Sequence, residues 1–430
     1  FPYLAAKYGG GIFLLVYIIL ALTFGFALMI TEIAIGRRTR LSCIGAYKAL
    51  DKRFGFLGWL SSAVPVIIVP YYCVIGGWVL KYFFEFLVGH GKNLAGDAEN
   101  YFGAFITASG TGVLASPVPW FLLFVVFTAV VVLLGVDKGI ETVSRVLMPL
   151  LVILSIFIAV FSLTMPGAMS GLRYYLLPDF SKFSTATVLG ATGQLFYSMS
   201  LAMGIMITYG SYMPKESQLE RSVAQIEIFD TGIALLAGLM IIPAVVAFNG
   251  GDPSTINAGP GLMFVTLPRV FEAMTFGGII GTAFFLLVFF AALTSSISLM
   301  ETVVSIVQDK LHWNRRVSTV AVTIVIVALG MLSCLGYSPA LENVKLLGMQ
   351  FLDFFDFISN SVLMPIVAFL TCILVGHMVG TKIVSDEVRE AGGMFRREKL
   401  YRVMVRWVAP VMLLAILVGE LLKHFGIISI

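Results

Sequence analysis

The stretch Leu189-Gly-Ala-Thr-Gly-Gln-Leu-Phe-Tyr-Ser-Met-Ser-Leu-Ala-Met-Gly204 runs on into Ile-Met-Ile-Thr-Tyr-Gly-Ser-Tyr212. It is apolar enough to lie in a bilayer, yet it carries Gly190, Gly193, Gln194, Ser198, Ser200 and Gly204. Two readings are open from spacing alone. In one, this is an ordinary span whose small residues let neighbouring helices approach. In the other, the helix breaks midway and aims freed backbone groups and hydroxyls at a solute.

The surrounding chain sets the medium. Of 430 residues, 59% are hydrophobic and only 12% charged, about half the charged share of a soluble protein; mean hydropathy is +0.98. Continuous apolar runs recur at roughly 10–36, 57–89, 117–136, 146–165, 187–213, 221–248, 277–308, 317–336, 351–376 and 404–424. Each is long enough to cross a bilayer as a helix, and none shows the short alternation of a transmembrane barrel. The fold class is therefore all-α, a polytopic helical membrane protein, with residues 1–430 as one transmembrane domain of about ten spans.

Charge orients the spans. Arg37, Arg38, Arg40, Lys48, Lys52 and Arg53 fall in the first loop, Lys138 and Arg145 flank the third, and Lys215 and Arg221 the fifth. Lys310, Arg315 and Arg316 occupy the seventh, and the ninth runs from Lys382 to Arg406 with seven basic residues. The even loops are poorer in Lys and Arg, so the odd loops face the cytoplasm and the protein is expected in the cell's inner (plasma) membrane. Phe1 then lies outside with no initiating Met before it, and one preceding span is expected. The segment Ser385-Asp-Glu-Val-Arg-Glu390 reads as a short amphipathic interfacial helix. The net charge of +4 is spread over loops, which gives no nucleic-acid face.

Catalysis finds no support. There is no HExxH, no GxSxG elbow and no P-loop. The four cysteines (Cys43, Cys73, Cys334, Cys372) have no metal-ligand spacing. Intramembrane ionisable groups carry the functional signal, because a charge in the bilayer is costly unless solvated or paired. Glu32 is expected to pair with a nearby arginine. Asp230 has no basic neighbour within a turn on its C-terminal side, so a cation or a water-filled site is its expected partner. Glu301 sits deep in the 277–308 run, while Asp353 and Asp356 open the 351–376 span as gate or solvated cap. Residues 291, 294, 295 and 298 share one helical face, and their carbonyl and hydroxyl oxygens suit a dehydrated hard cation, although small-residue packing explains them equally.

These residues, in this order, resemble the neurotransmitter:sodium symporter family. The matches include Phe1-Pro2-Tyr3 with Gly9-Gly-Gly11, Glu32-Ile-Ala-Ile-Gly-Arg37, Pro65 with Tyr71-Tyr72, and Lys138-Gly-Ile-Glu141. They continue through Pro178-Asp-Phe180, Gln194-Leu-Phe-Tyr-Ser-Met-Ser200, Gly259-Pro-Gly-Leu262 and Leu293-Thr-Ser-Ser296. The resemblance implies a LeuT-type inverted-repeat fold of the bacterial, eleven-helix kind, with this chain holding helices two to eleven. It implies sodium-coupled uptake of an amino acid by alternating access, with two sodium sites, and the broken reading of 189–212.

Residue by residue, the resemblance assigns Ile68, Tyr72, Tyr197, Ser198, Ser200, Met203, Ser295 and Leu299 to the substrate pocket. Tyr72 would bond the substrate carboxylate and Tyr197 would be the lid. Ala291 (carbonyl), Thr294 and Ser295 match one sodium site, with Ser198 and Asp230 at the other. Tyr17, Gln194, Ser198 and Asp230 surround the place where chloride-dependent relatives bind chloride, so a carboxylate at 230 implies chloride-independent transport. Tyr72, Tyr197 and Asp353 are expected in the outer gate, Tyr212 and Asp309 in the inner one. Two departures stand out: Tyr8 replaces a common Asn, and Ala202 a common Gly, a change expected to reduce room in the pocket or restrict unwinding. The apolar pocket suits a hydrophobic or aromatic amino acid. Proton-coupled or uncoupled carriage on the same fold, and a non-transporting amino-acid receptor, are the alternatives.

Overall fold

The computed structural model describes residues 1–252, 259–390 and 392–426. Among the described residues the chain is helical throughout, with only isolated β-bridges such as Gly10 to Pro178. Eight helices are long and apolar enough to cross a membrane. They are α1 (Gly11–Thr39), α2 (Lys52–Leu87), α4 (Val136–Leu163), α7 (Leu219–Phe248), α8 (Gly277–Leu311), α9 (Arg315–Leu335), α10 (Phe351–Met378) and α11 (Glu398–His424). Two of the ten expected spans differ. The third, α3 (Pro117–Leu133), has 17 residues, and the 187–213 run is divided into α5 (Thr185–Ser198) and α6 (Ile205–Tyr212).

Local chemistry explains the irregularities. Prolines sit inside α2 (Pro65, Pro70), α4 (Pro149) and α7 (Pro243), where each removes an N–H from the helix ladder and favours a bend. In α1, Ala21–Gly25 forms a π turn that shifts the helical register between Tyr17 and Glu32. Between α5 and α6 the chain unwinds: Ser200, Ala202 and Gly204 all take positive φ, at 52°, 59° and 73°. For a residue with a Cβ that conformation costs about 1–2 kcal/mol, so Ser200 and Ala202 must be held there by their surroundings.

Two contacts position the broken helix. α6 lies against the inner half of α1 at backbone distance: a Cβ on Gly36 would fall 1.9 Å from the Ile207 carbonyl oxygen, and one on Gly210 2.4 Å from that of Ile33. Only glycine permits this approach. On the other side α2 packs along α8. Their outer halves are locked by an aromatic cluster, with Tyr82 and Phe264 centroids 4.9 Å apart, Phe102 and Phe264 5.1 Å, and Phe86 and Phe285 5.4 Å. Such pairs each add about 0.5–1.5 kcal/mol beyond area burial.

At the basic end, a short helix Lys382–Arg389 buries Val384, Ser385, Glu387 and Val388. It is therefore not the interfacial membrane helix expected from its amphipathicity. Its acidic Glu387 points inward because Arg37 of α1, itself fully buried, donates from Nε to Glu387 Oε1 at 2.8 Å. Arg37 also reaches the Ser217 carbonyl at 2.6 Å and the Glu387 carbonyl. Lys215 bridges Glu387 and Glu390, both at 2.9 Å.

Candidate functional site

Unwinding makes the site. α5 ends at Ser198, and the Ser200 and Leu201 N–H groups fold back onto the Tyr197 and Phe196 carbonyls at 3.3 and 3.1 Å. Beyond this cap the chain opens on a cavity of about 430 Å³ between α2, α4, α8 and the break. All eight residues assigned to the substrate pocket line it: Ile68 and Tyr72 from α2, Tyr197, Ser198, Ser200 and Met203 from the break, and Ser295 and Leu299 from α8. Its volume falls within the range of small-molecule sites.

Further lining was not anticipated. Ser144 and Met148 of α4, Met206 and Tyr209 of α6, and Ser298 complete the walls. The Tyr209 hydroxyl donates to Ser298 Oγ at 2.9 Å, tying α6 to α8 across the cavity's inner end. The helical period places 298 with 294 and 295, and that was the available signal. Nothing in sequence pairs 209 with it.

Ala202 does not prevent unwinding. It adopts the left-handed conformation, and its N–H donates to Glu32 Oε1 at 2.7 Å. Glu32 is 2% exposed, and its Oε2 has no partner among the described residues. The expected pairing of Glu32 with a nearby arginine is thus replaced. Arg37 is taken by Glu387, and Glu32 instead holds the unwound segment.

Asp230 is held by two hydroxyls. Its two oxygens accept from Tyr17 Oη at 2.9 Å and Ser198 Oγ at 2.7 Å, and among the described residues no basic side chain pairs with it. Neutral hydroxyls are its protein partners. Of the four residues expected around the chloride position, Tyr17, Ser198 and Asp230 come together, whereas Gln194 lines the main cavity without bonding to Asp230. Asp230 also lines a second, largely apolar cavity of about 1090 Å³ together with Ala291, Thr294 and Ser295. Met148, Thr294 and Ser295 line both cavities, whereas Ser198 lines the first and Asp230 the second. The Thr294 hydroxyl donates to the Phe290 and Ala291 carbonyls at 3.1 and 3.0 Å, leaving its lone pairs free to accept a cation. Among the described residues no cluster of His, Cys, Asp or Glu has the make-up of a metal centre. The oxygen set here is hydroxyl and carbonyl, which suits a monovalent hard ion.

The gate residues separate. Tyr72 and Tyr197 line the cavity, but Asp353 accepts from Tyr337 at 3.0 Å and does not. Asp356 is the carboxylate next to the paired tyrosines, accepting from Tyr71 Oη at 3.1 Å and Asn360 Nδ2 at 2.6 Å. At the inner end Asp309 accepts the Ser42 N–H at 2.6 Å. Tyr212 donates to Glu301 Oε1 at 2.8 Å, and Glu301 is held by Arg315 at 2.5 Å. Glu301 is fully buried. This Tyr212–Glu301–Arg315 chain joins α6, α8 and α9, a link that the sequence, which singles out Tyr212 and Glu301 separately, does not give.

Against known proteins, a family model described as the sodium:neurotransmitter symporter family matches residues 1–94 and 98–426. The uncharacterized sodium-dependent transporter YhdH of Bacillus subtilis is 34% identical, over 100% of this chain and 93% of its own length. An uncharacterized sodium-dependent transporter of Haemophilus influenzae is 33% identical, covering 98% of this chain and 93% of itself. The human sodium- and chloride-dependent GABA transporter 2 is 24% identical over 99% of this chain and 76% of its own. Among solved structures, MhsT in complex with L-phenylalanine superposes with a TM-score of 0.85 at 34% identity, covering 97% of this chain and 93% of that one.

Proposed function

The chain belongs to the sodium:neurotransmitter symporter family, and on that premise we propose that it is a sodium-coupled symporter importing a hydrophobic or aromatic amino acid by alternating access. The observation that carries this reading is the cavity at the α5/α6 break, whose Ile68, Met203, Leu299 and Tyr197 supply apolar walls beside Ser198, Ser200 and Ser295. Among the described residues no charged side chain lines it, which disfavours acidic and basic substrates, and methionine adapts to a bulky ring. The similarity to a protein solved with L-phenylalanine supports the aromatic end of this range.

In this reading the substrate's carboxylate meets the Tyr72 hydroxyl, its side chain lies against Met203 and Leu299, and Tyr197 closes over it. One sodium ion binds the Ala291 carbonyl with the Thr294 and Ser295 hydroxyls, and another binds near Ser198 and Asp230. Asp230 supplies a fixed negative charge beside the cavity, so transport does not need chloride. Tyr72 and Tyr197 serve the outer gate with an acidic residue of α10, and Tyr212 and Asp309 the inner one. The membrane is the cell's inner (plasma) membrane.

The deciding experiment is a binding screen of the purified protein against all amino acids by scintillation proximity, in sodium and in potassium. Sodium-dependent binding of phenylalanine, tryptophan, tyrosine or a large aliphatic amino acid is expected. Equal binding in potassium, or preference for a charged amino acid, overturns the reading. Counterflow in proteoliposomes separates a carrier from a receptor.

A further inference from the structure

At the basic end of the bundle, α1, α7 and residues 392–397 enclose a cavity of about 720 Å³ that the proposed transport reading does not use. Its polar end carries Arg221 from the first turn of α7 and Arg396, with Gln218 beside them. Its apolar flank is Leu22, Ile228 and Met394, all exposed.

The acidic groups of this cavity are already engaged. Arg397 donates to Glu227 Oε2 at 2.9 Å, lies 3.6 Å from Glu220 and stands 3.5 Å over the Phe26 ring. It also reaches the Leu22 carbonyl in the π turn at 3.4 Å. Glu220 further accepts the Arg396 and Arg397 backbone N–H groups at 2.8 and 3.1 Å. Three arginines thus meet two glutamates, and Arg397 takes both. The Arg221 and Arg396 side chains have no ion-pair partner among the described residues.

Geometry gives the slot a head and a tail. Arg221, Ala224 and Ile228 recur at i, i+3 and i+7 and share one face of α7, so an arginine stands about 10 Å along the helix from exposed apolar surface. Three of the chain's five tryptophans, Trp59, Trp313 and Trp407, are exposed. All three belong to the basic end, and exposed tryptophan marks headgroup level. An apolar slot at that depth, closed at its aqueous end by two unpaired guanidinium groups, has the polarity of a lipid.

We propose that this groove holds one anionic phospholipid of the inner leaflet, its phosphate between Arg221 and Arg396 and an acyl chain along Ile228, Leu22 and Met394. Guanidinium groups match phosphate oxygens in pairs. A zwitterionic headgroup brings its own cation, which the same arginines repel.

The test uses the purified, delipidated protein in neutral detergent, with retained lipid counted by native mass spectrometry and stability read by thermal unfolding. Phosphatidylglycerol is expected to be retained as one copy and to raise the melting temperature, whereas phosphatidylcholine at equal ratio is not. R221Q/R396Q should bind phosphatidylglycerol at least tenfold more weakly, from about fivefold per basic contact, while R221K/R396K retains most of it. Ile228→Trp, which fills the tail path and keeps both charges, should weaken retention as well. Any of four results overturns the proposal: equal retention of phosphatidylcholine or a neutral sterol, unchanged retention in R221Q/R396Q, equal protection by glycerol phosphate alone, or a lipid-independent dimer that R221Q/R396Q abolishes.

Discussion

Substituting Glu32 examines whether the break between α5 and α6 is built into the resting protein or imposed by ligand. One carboxylate oxygen accepts the Ala202 N–H at 2.7 Å, and the other is buried without a partner among the described residues. The held residue sits at φ 59° between Ser200 and Met203, both lining the cavity. A hydrogen bond between neutral groups contributes about 0.5–1.5 kcal/mol. Glu32→Gln keeps the shape and the acceptor, so affinity should stay within about threefold of the parent. Glu32→Met removes the acceptor. It leaves the Ala202 N–H unsatisfied at about 1–3 kcal/mol and no longer opposes the left-handed cost of about 1 kcal/mol. The combined loss of about 3 kcal/mol corresponds to a hundredfold weaker Kd. Saturation binding of radiolabelled phenylalanine in sodium reads both variants, with thermal unfolding as a separate control. If Glu32→Met binds within twofold of the parent and melts at the same temperature, the segment holds itself open and the argument fails.

Asp230→Ser should make uptake depend on chloride, because Tyr17 and Ser198 would keep two hydroxyl donors around a site that has lost its fixed charge; undiminished uptake in gluconate would refute the charge-substitution idea. Gly36→Ala should lower the unfolding temperature and weaken binding together, since its new methyl must push the Ile207 carbonyl away from 1.9 Å, whereas Gly193→Ala, with nothing within 4 Å, should be silent in both assays. Arg37→Met leaves the Glu387 carboxylate, 1% exposed, with Lys215 as its remaining cation and should cost less than the about 3–5 kcal/mol of a fully stranded charge, whereas Arg37→Met with Glu387→Met should recover part of it. A double variant as unstable as the single would show that the pair is not the reason.

Hydropathy and the positive-inside pattern made the helical architecture legible, and local composition made much of the cavity legible too. Ser198, Ser200 and Met203 belong to one short break, and Thr294, Ser295 and Leu299 to one stretch of α8, so helical spacing and family resemblance group them without tertiary knowledge. The ionic partners were hidden. Glu32 and Arg37 are five residues apart, which on a helix of 3.6 residues per turn sets them about 140° apart around the axis. Proximity in sequence suggested a pair that the helix cannot make. The partners of Glu32 and Arg37 lie 170 and 350 positions away, whereas Tyr17 and Ser198, which bond Asp230, were grouped with it by the family resemblance. The amphipathic reading of 382–389 failed for the same reason, because its buried charge is satisfied by Arg37 and Lys215 rather than by water.

The cavity lies on a seam between two blocks joined by different chemistry. On one side α6 is pressed onto α1 at glycine contacts, Glu32 of α1 holds the break, and Arg37 fastens α1 to the 382–389 helix. On the other, α2 and α8 are locked by aromatic rings near one end, and Thr128 of α3 bonds Ser296 of α8 at 2.8 Å. Across the seam, among the described residues, two side-chain bonds tie α6 to α8, Tyr209 to Ser298 and Tyr212 to Glu301. The bond between hydroxyls contributes about 0.5–1.5 kcal/mol and the one to the Glu301 carboxylate about 1.5–3 kcal/mol net, less than separating either block internally would cost. Ser198, Ser200 and Met203 ride on the first block, and Ile68, Tyr72, Ser295 and Leu299 on the second, so any relative motion of the blocks changes the pocket itself. Alternating access, as proposed for this chain, requires a weak seam of this kind running through the binding residues. On this argument Tyr209→Phe with Tyr212→Phe should shift the protein toward the inward-open form, measured as faster cytoplasmic-side labelling of a cysteine placed at Met206, with the unfolding temperature lowered by no more than a few degrees. Unchanged labelling would show that the seam is held by packing and not by these two hydroxyls.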